Sequence, residues 1–231
     1  FRSGGPVNTD GLELDDLKAV TKHIREVTDS NPLLGQGLRL KTNYAYGRGF
    51  TFEAAEGELS ARTKKIIDDP DNQEAIFSNP ANKRLNKTRY QAGNIFVRYD
   101  FTTRKFTRIP IDRIGGWVEY PDDPERIKYY EHSYVVRVNS NGTPTEKTIK
   151  EWIPTDLYAR ITKGKARKKT LNKQRIRWDQ VIIDSRPNAN DNSILGVPDA
   201  FAAVPWAWAA SEYMKDGSRL LKALSAIAYH V

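Results

Sequence analysis

The sequence predicts an α+β fold, with helices first, strands next and one long helix last. Three observations carry that expectation. Up to Ala92, apolar residues recur at helical spacing between Pro and Gly breaks. From Ile95 to Ile183, short runs rich in β-branched and aromatic residues are joined by turn signals. After Gly196 an alanine-rich segment keeps helical character to Val231.

Residues 1–11 are rich in Gly and Pro and read as a loose arm. Leu12 to Thr28 reads as a helix, with Leu17, Val20, Ile24 and Val27 on one face and Asp15 and Asp16 in its first turn. Asn31-Pro32 ends it. Leu33 to Tyr46 reads either as a second helix or as extended segments, closed by Gly47-Arg48-Gly49, and Phe50-Thr51-Phe52 as a strand. Glu58 to Ile67 reads as a helix stopped by Asp68-Asp69-Pro70. Asn72 to Asn79 and Pro80 to Gln91 read as two more, the last capped at Gly93.

The β part then follows. Strands are expected at Ile95–Tyr99, Lys105–Ile109, Arg113–Tyr120, Lys128–Val138, Glu146–Ile153, Tyr158–Thr162 and Arg175–Ile183. Asn141-Gly142 signals a hairpin. Short connections imply an antiparallel or mixed sheet.

The terminal helix is expected to begin at Gly196, with Pro198 in its first turn and Asp199 complementing the helix dipole. Pro205 must kink or restart it. Phe201, Val204, Trp208, Leu220, Leu224 and Ile227 suggest an apolar face, and Trp206 joins them as a candidate contact with another copy. Small alanines elsewhere permit close approach of backbones. The plain alternative is an ordinary buried helix.

Composition is globular: 39% hydrophobic, 29% charged, five tryptophans. There is no cysteine, which removes disulfides and thiolate chemistry. The chain opens on Phe1 rather than Met and is expected to be a fragment or a renumbered chain. The sequence shows no membrane-spanning run, since charges interrupt the last helix from Glu212 onward.

The net charge of +8 is concentrated. Arg160, Lys163, Lys165, Arg167, Lys168, Lys169, Lys173, Arg175 and Arg177 lie in one run without an acid, and the rest of the chain holds 28 basic against 29 acidic residues. From Lys163 onward these are candidate contacts for phosphates or an acidic protein face, on a projecting loop or hairpin tip. A merely solvated hairpin is the plain alternative.

No catalytic constellation emerges. His23, His132 and His230 are not at ligand spacing and read as structural. No Gly-rich loop precedes Lys-Ser/Thr. The acidic pairs Asp68-Asp69 and Asp122-Asp123 precede proline and read as a helix stop and a turn rather than magnesium ligands. No enzyme, metal or cofactor is expected.

Four stretches in order resemble the portal proteins of tailed bacteriophages. They are Asn31-Pro32 through Tyr44-Ala45-Tyr46-Gly47-Arg48-Gly49, then Arg89-Tyr90-Gln91-Ala92-Gly93-Asn94-Ile95-Phe96-Val97. Next come Trp178-Asp179-Gln180-Val181-Ile182-Ile183-Asp184-Ser185-Arg186, and Gly196-Val197-Pro198-Asp199 with Trp206-Ala207-Trp208. One departure is Asp184, where family members write His. The resemblance implies a portal wing over residues 12–195 and a stem helix over 196–231. The family's clip, second stem helix, tunnel loop and crown have no counterpart here. It further implies a head–tail connector: a ring of about twelve subunits at one capsid vertex. That ring would meet terminase, scaffold, capsid and tail proteins and pass double-stranded DNA without hydrolysing nucleotide. Its expected location is the virion, and the bacterial host cytoplasm during assembly.

A different class is also open: a monomeric nucleic-acid-binding domain using residues 160–177, with Trp152, Tyr158 and Trp178 stacking bases. A small hydrolase or nuclease on an acidic pair is the third class.

Overall fold

The computed structural model describes residues 13–50, 60–140, 143–189 and 194–228. The expected arm, the Thr51-Phe52 part of the early strand and His230 lie outside them.

Helix α1 (Leu14–Ser30) buries Leu17, Val20, Ile24 and Val27, the face expected from their spacing. One residue separates it from α2 (Pro32–Tyr46), so the helical reading of that stretch is the right one. Asn31 makes the corner: its side chain accepts from the N–H groups of Leu33 and Leu34, and Pro32 needs no partner at the first position. Gly35 lets the two helices approach, since a Cβ there would stand 2.9 Å from the Thr28 carbonyl oxygen.

Helix α3 (Ala61–Ile67) starts later than expected because Ser60 caps it. Asp69 caps the short α4 (Pro70–Asn72), which runs on as a π-helix over Gln73–Phe77. Helix α5 (Asn79–Ala92) is capped by Ser78 and closed by Gly93 at φ 70°.

Among the described residues the strands form two antiparallel three-stranded sheets and a ribbon rather than one sheet. In the first, β1 (Ile95–Asp100) lies between β2 (Lys105–Ile109) and β8 (Gln180–Ser185). In the second, β4 (Asp123–Ser140) lies between β3 (Ile114–Tyr120) and β5 (Thr143–Pro154). The β4–β5 register closes on Ser140↔Thr143, which brackets the expected Asn141-Gly142 hairpin turn. A parallel bridge between Thr155 and Ile182 joins the two sheets.

Two expected strands are corrected. Tyr158–Thr162 is helix α6 (Asp156–Ile161), because Thr155 caps its first turn and Asp156 pairs with Arg160 one turn on. Arg175–Ile183 is broken: the two-stranded ribbon of β6 (Thr170–Leu171) and β7 (Gln174–Arg175) comes first, then a loop, then β8.

The core joins both sheets to α1. Phe96, Tyr130, Ile153 and Ile182 are fully buried with Leu17 and Leu195, and Phe96 meets Tyr130 edge to face with ring centroids 5.2 Å apart. Asp184 takes the Tyr130 hydroxyl at 3.0 Å and Arg186 at 2.7 Å. The residue that departs from the portal pattern thus ties one sheet to the other.

The last helix, α7 (Val204–Ala228), begins later than expected. Residues 196–200 are irregular and Phe201–Ala203 is a single 3₁₀ turn. Pro205 sits in the first helical turn, where its missing N–H has no cost, so it starts the helix rather than kinking it. No described helix is long and apolar enough to cross a membrane.

Candidate assembly face and cationic hairpin

The root of α7 is anchored by two glycines and three asparagines. Asn94 donates to the Gly196 carbonyl at 2.8 Å and accepts from the Gly196 N–H at 2.8 Å, with a further bond to the Ala92 carbonyl at 2.9 Å. Gly93 and Gly196 touch backbone to backbone: a Cβ on Gly93 would lie 2.2 Å from the Gly196 carbonyl oxygen. Asp199 holds Asn188 and Lys41, and the Ala200 N–H reaches the Tyr90 carbonyl at 3.1 Å. Asn31 donates to the Ala207 carbonyl at 3.0 Å and to Ser211 at 2.8 Å. Segments far apart in sequence, Arg89–Val97 and Gly196–Asp199, therefore build one joint.

Beyond this root α7 is bare. Ala207 is its one buried residue among those described. Trp206 (79% exposed), Tyr213 (82%), Leu220 (61%) and Leu221 (68%), with Trp208, Met214 and Leu224, are among the large apolar groups it presents to solvent. Trp206, Tyr213 and Leu220 are seven residues apart, as are Met214 and Leu221, and Ala210, Gly217 and Leu224. On a helix of 3.6 residues per turn these fall on one stripe. Glu212, Lys215, Asp216 and Arg219 occupy the other side and neutralise one another in i,i+3 pairs.

The expected face is therefore partly reassigned. Trp206, Leu220 and Leu224 belong to the stripe. Trp208 is exposed but falls on the side of Glu212, Lys215 and Arg219. Phe201 and Val204 are half-buried at the root. The side chain of Ile227 lies outside the described residues. Tyr213, Met214 and Leu221 were missing from the expectation, and the seven-residue spacing was the signal for them.

The cationic run is a built element rather than a loose loop. Asn172 (φ 49°) and Lys173 (φ 63°) form a two-residue turn between Leu171 and Gln174, both in the left-handed region. Trp178 fastens the preceding loop: its indole N–H donates to the Lys168 carbonyl at 2.7 Å, and the Arg167 guanidinium lies 4.8 Å from its ring. Lys163, Lys165, Arg167, Lys168, Lys169, Lys173 and Arg175 are exposed.

Arg177 does not belong at the tip. It is half-buried, bonded to Asp179 at 2.7 Å and to Glu151 at 3.3 Å, and those carboxylates hold its pKa above the ordinary value, the Asp179 bond foremost. Of the three aromatic residues expected to stack bases, one is buried and two are half-buried. Trp152 is 5% exposed and packs with Tyr129 and Ile176, while Tyr158 and Trp178 are half-buried against each other and Tyr129.

Of the acidic pairs, Asp69 binds Lys105 Nζ through both oxygens, at 2.5 and 2.6 Å, while capping α4. Asp123 pairs with Arg126 and accepts from the Glu125 N–H. Both carry local structure. Among the described residues, no three His, Asp or Glu side chains are grouped to hold a metal.

Compared with models of known protein families and with curated proteins, the chain matches none.

Proposed function

We propose that this chain is the wing and first stem helix of a tailed-phage portal protein. In this reading it is a ring-forming, non-enzymatic conduit for double-stranded DNA at one capsid vertex. One observation carries the proposal: α7 leaves its domain with an apolar stripe of Trp206, Tyr213, Leu220, Leu221 and Leu224 in solvent. An exposed apolar surface of this kind marks an interaction site. Since nothing else in the described chain covers it, the occupant is a second copy, and a head-to-tail contact repeated about a closed axis makes a ring.

The joint at the root supports the same reading. Two of the stretches that resemble portals, Gly93-Asn94 and Gly196 to Asp199, interlock and set the angle at which α7 leaves. Terminase, scaffold, capsid and tail proteins are the partners this role requires, in the virion and in the host cytoplasm during assembly. The exposed cations of the β6–β7 ribbon and the loop before it fit an acidic protein face better than bases, because Trp152 is buried and Tyr158 and Trp178 pack against its cluster. The monomeric nucleic-acid-binding reading is weakened for the same reason, since Trp152 is buried.

Negative-stain imaging of the full-length protein tests the proposal. Rings of about twelve subunits are expected; a uniform field of single domains at micromolar concentration contradicts it.

A further inference from the structure

The segments Asn31–Phe50 and Ala75–Tyr99 contain no Asp or Glu, yet neither stands out as a charge run in sequence. Folding packs α2 against α5 and leaves an open cleft of about 360 Å³ between them, bordered by the end of α1. The buried Asn86 amide donates to the Thr42 hydroxyl at 3.0 Å and pins the two helices at that cleft. Arg39 from one side and Lys83, Arg84 and Lys87 from the other line it. Arg84 is oriented by a bond from Nη2 to the Glu74 carbonyl at 2.7 Å. The one carboxylate of the lining, Asp29, stands 3.6 Å from Lys87. Both partners are half exposed or more, so the pair is weak. Four cations against one carboxylate leave the lining at +3.

We propose that this cleft binds the phosphate backbone of duplex nucleic acid. Phosphate oxygens need cations together with O–H and N–H donors, and the Asn43 amide and Thr42 hydroxyl stand in the same lining. A protein segment needs a pocket for an apolar anchor, and Leu38 is the sole large apolar side chain here. The contact carries no base readout, so it is independent of sequence and allows sliding. It is separate from the β6–β7 ribbon and does not depend on ring formation.

The test is fluorescence anisotropy of the whole chain with a labelled random-sequence DNA duplex, titrated over salt. The triple variant R39Q/K83Q/K87Q is expected to bind tenfold or more weakly at low salt. Its log K against log salt slope should be shallower by about 2 to 3, because each neutralised phosphate contributes about 0.9. The variant K165A/R167A/K168A/K169A, in the loop before the ribbon, should keep the wild-type cleft contribution, so adding the cleft changes to it should produce the same further loss. As a readout independent of variant folding, duplex DNA should protect Lys83 and Lys87 of the wild-type chain from acetylation but leave exposed Lys22 reactive. Unchanged affinity and slope in the triple variant, or Lys83 and Lys87 left reactive under bound DNA, would overturn the proposal. So would polyglutamate bound as tightly as duplex at matched charge, which would make this a site for acidic protein. A monomer that binds DNA through this cleft would remove the ring and leave the cleft standing.

Discussion

Asn94 and Gly196 hold each other through a closed pair of hydrogen bonds, each 2.8 Å, at a buried point where the α5–β1 corner meets the entry to α7. The asparagine amide reads both polar groups of one peptide position, so no other side chain of its length and shape completes the pair. Asn94→Ala leaves the Gly196 N–H and carbonyl buried without their partner. A loss of about 2–6 kcal/mol is expected, from about 1–3 kcal/mol for each of the two orphaned groups. Gly93→Ala should be worse, since its Cβ meets the Gly196 carbonyl and its φ is left-handed. Urea unfolding of both variants checks this.

Asn31 separates two functions in one side chain. Its Oδ1 caps α2 and its Nδ2 holds Ala207 and Ser211 of α7. Asn31→Asp keeps the acceptor and loses the donor. Hydrogen exchange should then quicken in the first turns of α7 while α2 stays protected. Asn31→Ala should loosen both, with a capping loss of about 1 kcal/mol. Equal protection of α7 in all three proteins would exclude the anchor.

His132 predicts an acid limit to stability. It is buried, stacked on Tyr134 with ring centroids 5.0 Å apart, and its Nδ1 has no hydrogen-bond partner among the described residues. Burial first, then Arg98 and Arg113, push its pKa down to about 4, with Glu151 opposing. The unfolded chain therefore binds a proton that the folded chain refuses. Stability from this group is intact above about pH 6.5 and falls as the pH drops toward 4, by up to about 3 kcal/mol at roughly 1.4 kcal/mol per pKa unit. His132→Phe should flatten that part of the stability–pH curve. An identical curve in both proteins would show that His132 does not titrate as described.

Lys173 holds a left-handed backbone that glycine adopts freely. Lys173→Gly should stabilise the chain by about 0.5–1 kcal/mol, because the turn conformation is kept and its strain removed. A lower melting temperature would mean that the lysine side chain contributes contacts of its own.

What was legible in the sequence was local. The buried face of α1, the Gly93 cap and the antiparallel pairing of β4 with β5 each depend on residues within a few positions. Tyr158–Thr162 was misread because a short apolar run fits strand and helix alike, and Thr155 decides the matter from outside the run. Arg177 read as a free cation because it closes an acid-free run, although Asp179 stands two residues on and Glu151 arrives from β5. The stripe on α7 was blurred by alanines on every side, so Trp208 was assigned to the wrong face. The cleft lined by Arg39 and Lys83 was invisible because its cations come from different helices and no charge run marks either one.

The central claim is that the exposed stripe of α7 is a contact between copies of this chain. The most direct measurement is sedimentation velocity of the full-length wild-type protein beside L220E/L224E. Both leucines are more than half exposed, so the melting temperature of the variant should match the wild type. The account predicts a large closed multimer for the wild type and a folded monomer for the variant. A wild-type monomer at tens of micromolar, or a variant that keeps the multimer, would contradict it.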